Sequence, residues 1–417
     1  MQVTSVRGFK DILPDEIGRW QFVEATARQV FENYGYSEIR IPILEKTELF
    51  ARGIGEATDI VEKEMYTFTD RSGTSVTLRP EATASIVRAY VEKRLYMKSP
   101  VAKLFVMGPM FRYERPQKGR FRQFNQINLE VFGLEDPIID VEVILVLIHF
   151  LRKIGLQKLE LEINSLGCKT CRPGYQKKLR DFLIRNENTF CPDCQRRIHT
   201  NPFRVFDCKV ESCREIMTRA PLMLDSLGPE CRDHFDAVMS YLKTMETPYV
   251  INPKMVRGLD YYVRTAFEVV STDLGAQNAV TGGGRYDGLI ADLGGPDIPG
   301  IGFAVGMERL ISLLPSEIGG GRGPDLFVAP IGEQSRIEAF RLVNALRQKG
   351  LTVEMGYEKK SLKSQMRRAD KLACRYVLIL GEEEFKRGTA LLRDMRAKTQ
   401  EELDLNVTHD LLLQKIK

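Results

Sequence analysis

A chain of 417 residues with 43% hydrophobic side chains has enough apolar material for two or three domains with real cores. Its formal charge is only +5, and the whole excess lies in residues 322–417, a weak pointer to a nucleic-acid partner. Residues 1–10 carry no apolar secretory segment, and the longest apolar run, Val143–Leu151, is too short to span a bilayer. A soluble, cytoplasmic protein is therefore expected, with its eight cysteines as thiols, metal ligands or catalysts rather than a disulfide framework.

Asp11–Tyr34 predicts the first helix, with Pro14 at the first helical position and Asp15 and Glu16 at the positive end of the dipole. Ile17, Trp20, Ala27, Val30, Phe31 and Tyr34 recur at helical spacing before Gly35. A strand, Ser37–Ile41, breaks at Pro42. Glu64–Thr69 and Ser75–Leu78 flank Asp70-Arg-Ser-Gly73 as a β-hairpin. Pro80 then opens a helix to about Leu95, with Glu81 and Thr83 in its first turn. Helix capping and ligand binding fit those two residues equally.

The central hairpin is Leu104–Gly133, with a turn at Arg115-Pro-Gln-Lys-Gly-Arg120. Side chains alternate faces along a strand. Ile127, Leu129 and Val131 therefore share one face, and Gln126, Asn128 and Glu130 the other, while Phe111 and Tyr113 oppose Arg112 and Glu114. A polar stripe of this kind is a solvated face or the floor of a site. The four cations Arg115, Lys118, Arg120 and Arg122 at the tip favour a floor for a phosphoester, with a polyanion arriving over the loop.

Pro137 starts an apolar helix to about Ile154, and a strand, Leu159–Ile163, follows. Residues 164–247 then break the rhythm as an insertion holding seven of the eight cysteines. Cys168-x2-Cys171 and Cys191-x2-Cys194 have nearly zinc-ribbon spacing, so these four are the candidate ligands of a structural zinc ion. Cys208 or Cys213 could substitute for members of the set, and a scatter of free thiols is the plainer alternative. Beyond the insertion, Val256–Glu268 packs two arginines, an acid and paired tyrosines into one stretch. Thr281-Gly-Gly-Gly-Arg-Tyr-Asp-Gly288 fits a close backbone approach or a plain turn. Neither a dinucleotide fingerprint nor a P-loop is present, and no hydrolase triad or nucleophile pair stands at a familiar spacing. Gly300–Leu310 predicts a strand entering a helix, with Arg309 near the first turn, where the dipole favours an anion and a surface salt bridge is the alternative. A Gly- and Pro-rich linker, Leu314–Pro324, precedes strands at 325–330, 351–355 and 376–380, with helices at 334–348 and 361–373 between them. This is a small α/β domain with a partly parallel sheet.

Taken together, these motifs resemble the bacterial histidyl-tRNA synthetases, a family of class II aminoacyl-tRNA synthetases. Arg7-Gly-Phe-Lys-Asp-Ile-Leu-Pro14 is similar to the family's opening. Ser37–Pro42 resembles motif 1, Phe111-Arg-Tyr-Glu114 with Gln126–Glu130 motif 2, and Gly302–Leu310 motif 3. Arg257-Gly-Leu-Asp-Tyr-Tyr262 and Gly283-Gly-Arg-Tyr-Asp287 resemble the signatures specific to histidine. The resemblance implies an α+β fold: an antiparallel sheet flanked by helices (residues 1–163 and 248–315), the insertion at 164–247, a linker at 316–324, and an α/β anticodon-binding domain at 325–417. It further implies a homodimer that uses ATP with Mg2+, L-histidine and histidine tRNA.

Carried over by motif, Arg112 and Arg257 are the catalytic residues, and Arg112, Glu114 and Arg309 bind ATP. Glu81, Thr83, Gln126, Glu130, Tyr261 and Tyr262 bind histidine. Arg115, Lys118 and Arg120 approach the tRNA. The cysteine knuckles are not a family-wide feature, so zinc stands on spacing alone. Two other readings compete: a regulatory paralogue of ATP phosphoribosyltransferase, and an RNA-binding module without chemistry.

Overall fold

In the computed structural model the described residues are 3–55, 58–115, 119–271, 279–315, 318–319 and 323–416. The loop residue Lys118 and most of the expected linker 316–324 fall outside them. The chain divides into two units, Met1–Gly319 and Gly320–Lys417. No helix among the described residues is long and apolar enough to cross a membrane.

The first unit is built on an eight-stranded sheet. We number its strands β1 (Ser37–Glu38), β2 (Ala102–Phe111), β3 (Gln123–Phe132), β4 (Leu159–Ser165), β5 (Val250–Ile251), β6 (Val263–Ser271), β7 (Ala279–Arg285) and β8 (Gly300–Gly306). Their order is β1-β2-β3-β8-β7-β6-β4-β5. All internal pairs are antiparallel, and only the two-residue strands at the edges pair in parallel. The fold is thus α+β, with an antiparallel sheet flanked by helices.

One face carries Phe105, Ile127, Leu129, Val131, Phe267, Val269, Phe303 and Val305 into the main core. Helix Ile138–Lys153 lies in that core, in contact with helices Ile17–Asn33 and Pro229–Thr244. Its apolar residues run almost all round, which is what burial between two neighbours requires. The opposite face is covered by helix Thr83–Glu92, whose Ile86, Val87 and Tyr90 join Val106, Phe132, Tyr262 and Tyr286 in a second core.

Three expectations shift at element ends. The first helix begins at Ile17 rather than Asp11, because the backbone folds into a turn in which Glu16 and Ile17 N–H both donate to the Leu13 carbonyl. The strand expected at 37–41 is only Ser37–Glu38. The first arm of the hairpin ends at Phe111, paired with Gln123, so Arg112–Glu114 leave the sheet before the turn. The hairpin at 66–69 and 75–78 forms as expected and joins Leu44–Lys46 in a three-stranded sheet.

The second unit has a five-stranded sheet. Val353–Met355, Leu326–Pro330 and Tyr376–Leu380 run parallel, and Thr389–Asp394 and Gln400–Asp404 add an antiparallel edge the sequence reading did not assign. Helices Glu333–Gln348 and Leu362–Lys371 occupy the expected segments, and Leu405–Ile416 closes the chain.

Candidate active site

The register of the large sheet places Glu130 opposite Gly302, Gly302 opposite Gly284, and Gly284 opposite Ala266. A carboxylate therefore faces a row of residues with almost no side chain, which leaves a recess. A Cβ at Gly302 would lie 1.8 Å from Glu130 Oε2, so only glycine admits the carboxylate at this point. The polar stripe read from the hairpin is a buried floor and not a solvated face: Glu130 and Asn128 are each 1% exposed.

Thr83 Oγ1 donates to Glu130 Oε1 at 2.6 Å, and the Tyr286 hydroxyl donates to Oε2. Burial pushes the Glu130 carboxyl up to about 8 despite those two hydrogen bonds, with the nearby Glu81 charge adding to the rise. Glu81 accepts from Thr83 N at 2.6 Å and Ala84 N at 2.8 Å. From the position before the N-cap, Ala82, it thus satisfies two of the free N–H groups at the start of helix Thr83–Glu92, which begins three residues beyond Pro80. Burial also raises the Glu81 carboxyl, against those two N–H donors and the charge of Arg112.

Tyr261 stacks beside Tyr262 and edge-on to Tyr286, with ring centres 4.7 and 5.5 Å apart. Gln126 Oε1 and both amide atoms of Asn128 are buried without a protein partner among the described residues. Such atoms are costly unless a ligand or water meets them.

Guanidinium groups border the recess. Arg112 Nε donates at 2.9 Å to the carbonyl of Pro80, the residue that precedes Glu81. Arg257 lies 5.3 Å from the centre of the Tyr262 ring and is ion-paired to Glu268. A Cβ at Gly282 would come within 2.5 Å of Arg257 Nη1, so the glycine run makes room for a protein cation. Arg309 Nη1 donates to the Ala279 carbonyl at 2.5 Å, and its guanidinium is held low by burial and by the charge of Arg120. Arg120 in turn reaches Glu114 at 3.3 Å. Arg115 and Arg120 are exposed on the loop, and Lys118 lies outside the described residues. Arg122 is engaged otherwise, over the Tyr113 ring at 3.8 Å and against the Glu114 carbonyl at 3.2 Å. A buried carboxylate recess with Arg112 and Arg257 at its border suits a small zwitterion next to a polyphosphate.

The comparisons with known proteins agree with that chemistry. The histidyl-tRNA synthetase family model matches residues 8–310, and an anticodon binding domain model matches residues 325–415. The histidine–tRNA ligase of Geobacter sulfurreducens is 57% identical over 403 residues, 97% of each chain. That of Geobacter metallireducens is 56% identical over 406 residues, 97% of this chain and 98% of its own. Among solved structures, the apo S. aureus histidyl-tRNA synthetase is 34% identical and covers 100% of both chains with a TM-score of 0.82.

The chain belongs to the histidyl-tRNA synthetase family. It is accordingly an aminoacyl-tRNA ligase, an enzyme of the class II synthetase fold.

Two features of this histidyl-tRNA synthetase chain were not read from its sequence. Tyr286, within the Gly283–Asp287 signature, is a partner of Glu130; its place two residues after a glycine run, just past the end of β7, was the available signal. The preceding Arg285 turns the other way, is 0% exposed, and pairs with buried Asp140, which also meets His234 Nε2 at 2.8 Å. Arg285 therefore ties the sheet to helices Ile138–Lys153 and Pro229–Thr244.

The expected zinc set is corrected. Cys168 and Cys171 converge with Cys231, whereas Cys191 and Cys194 converge with Cys208 and Cys213. The two knuckles thus belong to separate groups, because different helices of the insertion carry them apart.

Proposed function

We propose that this chain joins L-histidine to its tRNA in two steps. The observation that carries the reading is a buried recess of carboxylates and tyrosines around Glu130, bordered by Arg112 and Arg257. Glu130 and Tyr262 read the two imidazole nitrogens. Glu81, Thr83 and Gln126 receive the ammonium group, and Tyr261 walls the pocket. Each Glu81 oxygen accepts one backbone N–H and retains a lone pair for a further donor. A site that hydrogen-bonds both ring nitrogens rejects isosteres lacking them, so no editing domain is required.

In the first step a carboxylate oxygen of histidine attacks the α-phosphorus of ATP. The new P–O bond forms as the bond to the β-phosphate oxygen breaks, giving histidyl-adenylate and pyrophosphate. Arg112 holds the α-phosphate, Arg309 the γ-phosphate end, and Arg257 meets the charge that grows on the α-phosphoryl oxygens. Glu114 belongs to the ATP side. Mg2+ arrives with ATP as part of the substrate and neutralises phosphate charge.

In the second step a terminal ribose hydroxyl attacks the acyl carbon and AMP leaves. Arg115, Lys118 and Arg120 approach the acceptor end, and the unit from residue 320 reads the unstacked anticodon. The working form is a cytoplasmic homodimer. A regulatory paralogue or a chemically inert RNA binder is not favoured: residues 325–415 match an anticodon binding domain, and Arg112, Arg257 and Arg309 are all present.

Histidine-dependent ATP–pyrophosphate exchange tests the reading. Exchange with histidine and no other standard amino acid is expected, with severe loss in Arg257→Ala. Absence of exchange by the folded wild-type chain supplied with tRNA would overturn it in favour of the regulatory paralogue.

A further inference from the structure

Outside the active site, the densest cluster of reactive side chains is in the insertion. The sulfur atoms of Cys191, Cys194, Cys208 and Cys213 all lie within 4.8 Å of one another. They come from three local contexts. Cys191 precedes helix Pro192–Thr200 and Cys194 sits in its first turn. Cys208 follows the 3-10 segment Pro202–Asp207, and Cys213 sits in the first turn of helix Glu211–Met217.

All four are free thiols. The Cys191–Cys208 sulfur separation, 3.8 Å, is far too long for a disulfide at about 2.05 Å. It equals the edge of a regular tetrahedron built on metal–sulfur bonds of about 2.3 Å, which is also about 3.8 Å. Four sulfurs this close suit one central ion rather than an iron–sulfur cluster, whose several metals hold their thiolates further apart. The Cys191 N–H donates to Cys213 Sγ at 3.3 Å, a bond that stabilises thiolate charge. Cys194 and Cys213 are fully buried among Tyr175, Leu179, Ile198 and Val205, while Cys191 and Cys208 are half-buried, so the cluster sits at the edge of the insertion's core.

Buried cysteines can also pack as small hydrophobes. That alternative accounts for burial but not for four sulfurs facing one another from separate segments. The second group, Cys168, Cys171 and Cys231, offers three sulfurs with no fourth His, Cys, Asp or Glu partner among the described residues. Among the described residues only the first group offers the four sulfurs that a closed tetrahedral site needs.

We propose that Cys191, Cys194, Cys208 and Cys213 bind one structural zinc ion as four thiolates. Soft thiolate donors select zinc over the Mg2+ that accompanies ATP, and four protein ligands leave no open position for chemistry. The ion fastens residues 191–213 into one unit. That unit touches the catalytic loop: Arg204 Nη1 donates to the Arg257 carbonyl at 3.3 Å, and Asn201 Nδ2 to Asp260 Oδ1 at 2.9 Å. If the function proposed above holds, the zinc is thereby a brace for Arg257 as well as a staple of the insertion.

Zinc is measured on the purified full chain by mass spectrometry of the native protein and by elemental analysis. Cys208→Ser is expected to hold one equivalent less per chain than wild type, whereas Cys231→Ser retains the ion of this site. Because a variant can misfold, the wild type is also titrated with a thiol-specific mercurial and its modified peptides are mapped. Zinc release is expected to follow modification of Cys191, Cys194, Cys208 and Cys213. A wild type without stoichiometric zinc, iron in its place, or release that follows Cys168, Cys171 and Cys231 instead would each overturn the proposal. None of these readouts depends on catalysis, so the zinc site and the enzymatic reading fail separately.

Discussion

The large sheet of the first unit and the small sheet of the second treat polar residues differently. In the large sheet one face is apolar, while the other buries Asn128 and Glu130 beneath the helix that Glu81 caps. In the small sheet both faces are apolar. Leu326, Val328, Leu378 and Leu392 line one, and Phe327, Ala329, Val377 and Ile379 line the other. Among the described residues the second unit's buried polar side chains are only Ser335 and Gln365, both on helices. Its charge stays outside, on helices such as Leu362–Lys371 with Lys363, Arg367, Arg368 and Lys371. A buried carboxylate is expensive and persists where a ligand repays the cost, whereas exposed cations cost little and act on a large polyanion at long range. This contrast accords with the proposed function, in which the first unit holds a small molecule closely and the second meets a macromolecule loosely.

The contrast predicts a graded set of effects. The largest belongs to Arg257→Ala. Removing a fixed cation from developing phosphoryl charge should lower kcat for ATP–pyrophosphate exchange by about two to three orders of magnitude. The KM for histidine should change little, since the proposed role of Arg257 is on the transition state; steady-state exchange kinetics separate the two.

Glu130→Gln comes next. It keeps the shape but removes a carboxylate acceptor from the recess, so the KM for histidine should rise by roughly ten- to a hundredfold, as read in the same assay.

The same substitution tests the buried charge through stability. The Glu130 carboxyl is raised from 4.5 to about 8 in the folded chain. Its contribution is therefore fully present below pH 4.5 and is lost as pH rises toward about 8. Relative to Glu130→Gln, wild type should lose roughly 1.4 kcal/mol of stability per pH unit across that window, and nothing further above it. Paired thermal or urea unfolding series at several pH values read the difference. A flat difference would show that Glu130 is not desolvated.

The smallest effect lies in the second unit. Charge reversal at Lys363 or Arg367 should leave ATP–pyrophosphate exchange unchanged. It should weaken tRNA binding a few-fold and reduce the salt slope of binding by about one per lost phosphate contact. Equal losses in both assays would erase the distinction between the two sheets.

Much of this was legible in the chain itself. Period-two alternation in Gln126–Val131 sorted the central strand into its two faces, because side chains on a strand have no other choice. Pro137 and the apolar run around Val143–Leu151 located that helix but left its neighbours unnamed. Glu81 was readable as a cap or as a ligand, and its contacts with Thr83 and Ala84 N–H show the cap. The start of the first helix was misplaced by six residues, since a proline-led turn and a first helical turn have similar local preferences.

The cysteines mark the limit more sharply. Their spacing along the chain singled out Cys168, Cys171, Cys191 and Cys194, yet the folded insertion groups them otherwise. Local spacing can place two thiols of one knuckle on the same turn, but which knuckle meets which thiol depends on how several helices pack. The same division holds for the active site. The sequence by itself determined the strand faces, the glycine positions and the motifs that mark the family. Only the tertiary structure decided that Glu130 is buried, that Tyr286 is its partner, and that Gly302 makes room for it. Burial and cross-strand register are properties of segments far apart in the chain, and no local pattern carries them.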